Sequence, residues 1–340
     1  MAKLLKDRDH ISKNTLTLVL VALLYAFACI MVYTGAASRQ MSNMLIPISA
    51  YIVMAVSLNL VVGLLGELSL GHAGFMSVGL FSGCLLSLKL YDVLPLAIRL
   101  PASMLVGGLV AAAFGFVIGL PALRLKGDYL AIVTLACGEI IKNLITNLSF
   151  TGGARGLDTA EIYSKPKVLL PFAIVLVFLT IIVMMNLKKS RYGRAIMAIR
   201  DNRIAAEAMG INVTYFKLIV FVIAAFFAGA AGTLYGHSFA NVKAASFDYN
   251  MSIEILVIVV LGGMGSVRGS IIAAIVLQIL PEALREFSDY RMLLYSVLLI
   301  AIMLLNANSK FVEFKSKWTV DALLRSMKKK KQEKEAHKNG

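Results

Sequence analysis

Two stretches, Leu16–Val32 and Val168–Leu187, run for 17 and 20 residues without a charged side chain. About 20 apolar residues in a helix rising 1.5 Å per residue cross the ~30 Å hydrocarbon core of a bilayer. Similar runs recur along nearly the whole chain. The composition agrees: 59% of the 340 residues are hydrophobic and the mean hydropathy is +0.80. Soluble domains hold roughly 45–50% apolar residues. The pattern excludes a soluble globular chain and predicts an all-α polytopic membrane protein with about ten transmembrane helices (8–10). The expected spans are 15–34, 44–65, 70–88, 101–121, 129–148, 168–187, 217–236, 253–263, 268–284 and 292–306. The eighth and ninth can also be read as one broken segment.

The net charge of +15 follows the same logic, because the positive residues fall between apolar runs and in the tail. That placement is what topology requires, so nucleic acid is not an expected partner whereas membrane lipid is. With the N-terminus inside, 24 of the 34 Lys and Arg residues lie on the cytoplasmic side, seven of them between Lys188 and Lys217. Both termini are therefore expected to be cytoplasmic. The basic start, Met1–Asn14, precedes an apolar run longer than the about 7–15 residues of a signal-peptide core, so a retained first span is expected. The domain layout is a 1–14 cytoplasmic tail, a 15–306 transmembrane bundle with a 188–216 cytoplasmic loop, and a basic 307–340 cytoplasmic tail. In that tail Phe311, Phe314 and Trp318 have helical spacing for an interfacial helix, followed by the run Lys328–Lys331 for anionic headgroups.

Catalysis is not indicated. The sequence holds no P-loop, no nucleophile elbow and no metal-ligand spacing among His10, His72, His237 and His337. No cofactor, metal or catalytic residue is expected. Cys29, Cys84 and Cys137 lie inside apolar runs and read as small buried hydrophobes. Glycines four apart, Gly79/Gly83, Gly115/Gly119 and Gly232/Gly236, with Ala111 and Ala228 extending two of the rows, predict closely packed helices.

Three features carry functional information. The first is a pair of glycine-rich interruptions, Gly63–Gly74 (with Gly66, Gly71 and Gly74) and Gly262–Gly269 (with Gly262, Gly263 and Gly265). Non-helical backbone at membrane depth survives only where protein or a water-filled cavity satisfies its N–H and C=O groups. Paired breaks in the two halves point to an inverted repeat with a path between the halves; two ordinary turns are the alternative. Asn59, Ser69 and His72, in and beside the first break, are the polar candidates for lining that path. The second feature is Glu139, about 16 Å along a helix starting at the expected N-cap Asp128. A carboxylate there must face the bundle interior or water, with Lys142 on the same helical face. It either lines the path or forms a structural ion pair. The third is the loop Lys188–Lys217, in which a short amphipathic helix bounded by Gly193 and Gly210 is expected. Ile196, Ile199, Ala206 and Met209 form its apolar side. It either lies on the membrane surface or plugs into a groove of a soluble partner.

Several of these segments together resemble a known family. Ser57-Leu58-Asn59-Leu60 with Gly66-Glu67-Leu68-Ser69-Leu70-Gly71-His72-Ala73-Gly74-Phe75 is similar to the early signature of branched-chain amino-acid ABC transporter permeases. Leu125-Lys126-Gly127-Asp128-Tyr129-Leu130-Ala131-Ile132-Val133-Thr134-Leu135 resembles the LivM-type subunit. Thr151–Leu157, Tyr192–Ala195, Ala205–Ile211 and Val260–Ser266 resemble its later motifs in the same order, over about residues 44–285. The resemblance implies an importer bundle that binds no cofactor. It also implies a second permease of LivH type, two ABC ATPase subunits and an extracytoplasmic substrate-binding protein delivering leucine, isoleucine or valine. It places the chain in a bacterial plasma membrane. It makes the 188–216 loop the element coupling to the ATPases, through Arg194, Arg200, Asp201, Ala205, Ala206, Glu207 and Gly210. One departure is Ile204, which stands where the family's coupling motif has a glutamate. Importers of urea or short amides and ion-coupled secondary transporters are the rival readings.

Overall fold

The structure is a computed structural model that describes residues 2–35, 38–125 and 127–284, and beyond these only Ser296, Val297, Ile300 and Leu304. The expected tenth span, the interfacial helix around Trp318 and the Lys328–Lys331 run therefore lie wholly or largely outside the described residues.

The elements in chain order are α1 (Ala2–Tyr33), α2 (Arg39–Asn59), α3 (His72–Lys89), α4 (Leu96–Ala122), α5 (Asp128–Asn147), β1 (Leu157–Asp158) and α6 (Pro166–Lys189). There follow α7 (Arg191–Asp201), α8 (Arg203–Ala208), α9 (Val213–Gly236), β2 (Asn241–Val242), α10 (Tyr249–Gly262) and α11 (Val267–Ala283). Six segments are long and apolar enough to cross a membrane: Arg39–Leu65, Leu96–Ala122, Asp128–Asn147, Pro166–Lys189, Val213–Gly236 and Ala244–Gly262. Thr17–Tyr33 is a shorter apolar helix. Every expected segment before residue 284 coincides with a helix, but the count of ten spans is not reached among the described residues. The difference is one of length and composition: α11 has 17 residues and α3, with 18, opens on His72 and closes on Lys89.

The helix α2 is the centre of the bundle. Residues Ile48–Asn59 are buried throughout, so its apolar character runs all the way round instead of along one stripe. The Tyr25 and Ser49 hydroxyls, 2.8 Å apart, fix α1 against it. A block of α3, α4 and α9 packs beside it. Here the glycine spacing does what the sequence predicts. A Cβ on Gly79 would overlap the Gly229 backbone, one on Gly232 would overlap the Met76 carbonyl, and one on Gly115 would meet Ala225 at 2.7 Å. Backbones this close exclude lipid and gain dispersion contacts along their whole length. The Thr233 hydroxyl, which donates to the Gly79 carbonyl at 2.9 Å, adds a polar tie.

At the end of the bundle away from α7, β1 and β2 pair antiparallel, Leu157 opposite Val242 and Asp158 opposite Asn241. The Thr159 hydroxyl donates to the Phe239 carbonyl at 2.6 Å and closes this cap. The cysteines are all free; Cys84 is buried as expected, whereas Cys29 and Cys137 are only partly covered.

Candidate functional site

The two glycine-rich interruptions, some 200 residues apart in sequence, meet in space. The last turn of α2 widens over Leu60–Leu65 and ends at Gly66, whose φ of +79° is open to glycine at no steric cost. The chain then runs without helix to Gly71. The second break separates α10 from α11. Asn59 joins the two: its Oδ1 accepts from the Gly265 amide at 2.7 Å and its Nδ2 donates to the Ser270 hydroxyl at 2.8 Å. Gly63 lies against Gly265 so closely that a Cβ on Gly63 would overlap the Gly265 backbone. Gly262 and Gly269 repeat this within the second break, where a Cβ on Gly262 would come within 2.5 Å of Ser270 N. Gly263 and Gly265 both have positive φ, 91° and 80°.

The first break is exposed at Gly66 and Leu68, but its later residues are tied into the bundle. The Leu70 amide donates to Thr134 Oγ1 of α5 at 3.0 Å, and the Ala73 amide, in the opening turn of α3, donates to Ser252 Oγ of α10 at 3.2 Å. Side chains of neighbouring helices thus satisfy the backbone groups that the missing helix leaves open. Gly71 faces the Thr134 carbonyl, where a Cβ would come to 2.6 Å, and Gly74 faces Gly138 at 3.0 Å. His72 is 2% exposed and its Nε2 lies 2.8 Å from the Ser57 hydroxyl. Ser69 is buried too, its hydroxyl without a hydrogen-bond partner among the described residues. Glu67 makes an ion pair with Lys217 of α9, whose side chain is 2% exposed. Sequence reading missed this pair, because Lys217 stands at the start of an apolar run and reads as an ordinary edge charge.

The loop after α6 is helical, as expected, but it forms two helices and not one. α7 ends at Asp201, Asn202 is extended (φ −156°, ψ 102°), and its side chain accepts from the Ala205 amide at 3.0 Å to cap α8. An asparagine between two helical stretches is an N-cap signal, and it was legible. Ile196 and Ile199 of α7 and Ala206 of α8 are buried, as the amphipathic reading required. Met209, assigned to the apolar inner side, is instead 83% exposed, because α8 ends at Ala208 and Met209 is its C-cap. Ile204 is 79% exposed, and Ala205, Glu207 and Gly210 are exposed beside it. Gly210 has φ +81° and nothing within 4 Å of where its Cβ would lie.

Arg200 links this element to the first break, and Lys188 beside it reaches the second. Its Nη1 donates to the Gly63 carbonyl at 3.2 Å, and its stem lies against Gly66, where a Cβ would meet Arg200 Cγ at 2.6 Å. Its Nε and Nη2 fork onto Asp201 Oδ1 at 3.0 and 2.9 Å. Lys188, at the end of α6, donates to the Gly265 carbonyl at 2.8 Å. Arg203 and Glu207 pair within α8 at 2.9 Å, and Arg194 donates to the Lys189 carbonyl at 3.2 Å. The structure therefore gathers Asn59, Gly63, Gly66, Gly263, Gly265 and Arg200 in one place.

Glu139 lies elsewhere. It pairs with Lys142 on its own helix, and its Oε1 accepts from the Tyr249 amide at 2.9 Å. Tyr249 is the first residue of α10, so the carboxylate caps that helix and meets the positive end of its dipole. Asp128 is not the N-cap of α5 as expected; Gly127 is, with φ +57°, and Asp128 supplies the negative charge of the first turn. Sequence reading also missed Glu254 inside α10. The signal was there, a lone carboxylate in an apolar run.

Residues 40–306 match the family described as branched-chain amino acid transport system / permease component. The chain is 38% identical over 289 residues to the high-affinity branched-chain amino acid transport system permease protein LivM of Salmonella typhimurium, covering 75% of this chain and 66% of that one. The Escherichia coli LivM is 37% identical over the same shares. The chain thus spans just under two thirds of the length of these relatives. The Escherichia coli permease protein LivH is 26% identical over 286 residues, 78% of this chain and 92% of that one. No solved structure matches the chain. With helices of membrane-spanning length, two interlocked breaks and a family match over most of its residues, the chain belongs to the branched-chain amino acid transport permease family.

Proposed function

We propose that this chain forms half of the translocation path of an ATP-driven importer for leucine, isoleucine or valine in a bacterial plasma membrane. A second permease of LivH type forms the other half, two ATPase subunits dock from the cytosol, and an extracytoplasmic binding protein delivers the cargo. The chain itself hydrolyses nothing. It has about ten spans with both termini cytoplasmic, which puts α7 and α8 on the cytosolic side.

One observation carries the reading. Ile204 of α8 and Met209, just past its end, are almost fully open to solvent, while Arg200, just before α8, holds the backbone of the first break. An apolar outer face on a short loop helix suits a groove in a soluble partner. With Ile204 in place of the family's glutamate, this contact is apolar in character, with Arg203 and Glu207 as its charged rim. A push on α8 reaches Gly63 and Gly66 through Arg200 and Gly265 through Lys188 and Asn59. Helices ending in glycine at these points can hinge there while their spans stay rigid, which is what alternating access needs.

The test is uptake of radiolabelled leucine, valine and urea by cells lacking this chain, with and without complementation, together with co-purification of the ATPase subunits. Restored leucine and valine uptake supports the reading. Restored urea uptake alone moves the chain to the amide importers. Leucine accumulation by the isolated chain on a proton or sodium gradient overturns it.

A further inference from the structure

The turn between α3 and α4 holds a buried cation that no acidic group answers. α3 runs from the first break to Lys89, so this turn and the start of α4 lie at the end of the bundle away from α7. Arg99, in the opening turns of α4, is 5% exposed. Its Nη1 donates to the Tyr91 carbonyl at 3.3 Å, and its guanidinium lies over the Tyr91 ring, 4.7 Å from the centroid. Its Nε is buried without a hydrogen-bond partner among the described residues. So is the hydroxyl of Ser103, one turn along the same helical face. Among the described residues no carboxylate forms an ion pair with Arg99, and Asp92, in the same turn, is exposed. A ring and a carbonyl do not neutralise a guanidinium, which at membrane depth needs an anion or water.

Three further observations say which anion fits. The N-cap of α4 is Pro95, which offers no side-chain acceptor, so the positive end of the helix dipole is open near Arg99. The 27 residues of α4 measure about 40 Å against a hydrocarbon core of ~30 Å, so about 5 Å at each end reach the headgroup layer. Arg99 lies about 4.5 Å past Leu96, at the border between headgroups and acyl chains. Ile98, Leu105, Leu109 and Phe116 are exposed and share one face of α4, forming an apolar ridge that leads away from this end. A phosphate diester carried on hydrocarbon chains matches both parts: the guanidinium fork takes phosphate oxygens and the ridge takes an acyl chain. A headgroup with its own ammonium compensates its phosphate internally, so an anionic headgroup is the one that supplies the missing charge.

We infer that Arg99, with the open start of α4, binds the phosphate of an anionic phospholipid whose acyl chain lies along the Ile98–Phe116 ridge. The inference goes beyond the importer reading and does not depend on the cargo.

The experiment uses the full assembly in detergent micelles and follows thermal unfolding while phosphatidylglycerol, phosphatidylcholine or inorganic phosphate is added. Phosphatidylglycerol is expected to raise the midpoint, and the other two to leave it nearly unchanged. Arg99→Gln is expected to raise the half-saturating phosphatidylglycerol concentration about tenfold or more, and Arg99→Lys, which keeps the charge but not the fork, by less. Pro95→Asp, at an exposed cap position four residues before Arg99, supplies an internal carboxylate. It is expected to be as stable without added lipid as the wild type is with it, and to respond no further. An equal response to phosphatidylglycerol in wild type and Arg99→Gln overturns the inference, as does a full response of Pro95→Asp. An equal response of the wild type to phosphatidylcholine also overturns it, and full stabilisation by inorganic phosphate assigns the site to a soluble anion instead. Loss of the second permease from Arg99→Gln on size-exclusion chromatography, with no lipid response in the wild type, overturns it by assigning the charge to subunit pairing. Where Arg99→Gln does not fold, the wild-type titrations and Pro95→Asp decide alone.

Discussion

Removing Glu67 should destabilise the protein more than removing its partner, and removing both should cost less than the sum of the two. Lys217 is 2% exposed and Glu67 16% exposed, and their ion pair spans the first break and α9. Glu67→Ala strands an ammonium with no water to receive it. Breaking a buried pair from one side costs about 3–5 kcal/mol. The slight exposure of Glu67 places this case near the lower end, about 3 kcal/mol. Lys217→Met fills the same space with an apolar chain and leaves a carboxylate that can still reach water, at about 1–2 kcal/mol. The double variant Glu67→Ala/Lys217→Met has no stranded charge and should recover part of the loss, giving a coupling energy of at least about 1 kcal/mol. The assay is thermal unfolding of the purified protein in detergent, followed by loss of the monodisperse chromatographic peak, for all four proteins. Simple additivity of the two single variants, or Glu67→Ala as stable as wild type, would refute the argument that the lysine is enclosed.

Arg200→Ala removes a charge-assisted bond to the Gly63 carbonyl worth about 1.5 kcal/mol at a site this exposed, so leucine uptake per ATP hydrolysed should fall roughly tenfold with hydrolysis retained; unchanged stoichiometry in proteoliposomes would remove Arg200 from the route. Gly210→Trp places bulk at the exposed end of α8 and at a φ of +81°, and it should abolish uptake while membrane insertion stays normal; full transport would dismiss the docking role. Glu139→Ala exposes the first amide of α10 and the Lys142 charge, so uptake should drop along with thermal stability; normal uptake at normal expression would leave Glu139 no part in the path. Gly71→Ala drives a methyl group to within 2.6 Å of the Thr134 carbonyl, and it should lower stability by about 1–3 kcal/mol in the same unfolding assay.

What could be read from the sequence was whatever a helix writes in its own neighbourhood. Apolar runs located α1 to α6 and α9 to α11, glycines four apart located the tight α3–α4–α9 contacts, and the two Gly-rich stretches announced the breaks. The sequence did not show that those breaks touch. The Asn59–Gly265 and Arg200–Gly63 bonds join residues 206 and 137 positions apart, and no periodicity records a partner at that separation. Asn59 is nonetheless a candidate from sequence because it stands beside a glycine break, and Arg200 because it lies on the polar side of the loop helix that the family resemblance makes the coupling element. Lys217 escaped because a cation at the mouth of an apolar run normally faces headgroups. Glu254 was legible as a lone carboxylate in an apolar run, but nothing in the sequence names Tyr51 and Gln278 as its partners. The misplacement of Met209 came from carrying the helix to Gly210, whereas α8 stops at Ala208 and leaves Met209 at its exposed cap.

The glycine contacts among α3, α4 and α9 also restrict which parts of the molecule are free to travel. Backbones that already touch have no slack for one rod to slide or tilt on its neighbour, so these three behave as a stator. On the proposed importer reading the stroke falls to rods outside this block, among them α2, pivoting where its final turn loosens; the short α10, footed on the Glu139 cap; and α11 beyond the second break. Transport then resembles a piston working against a fixed wall more than a bundle opening evenly like an iris.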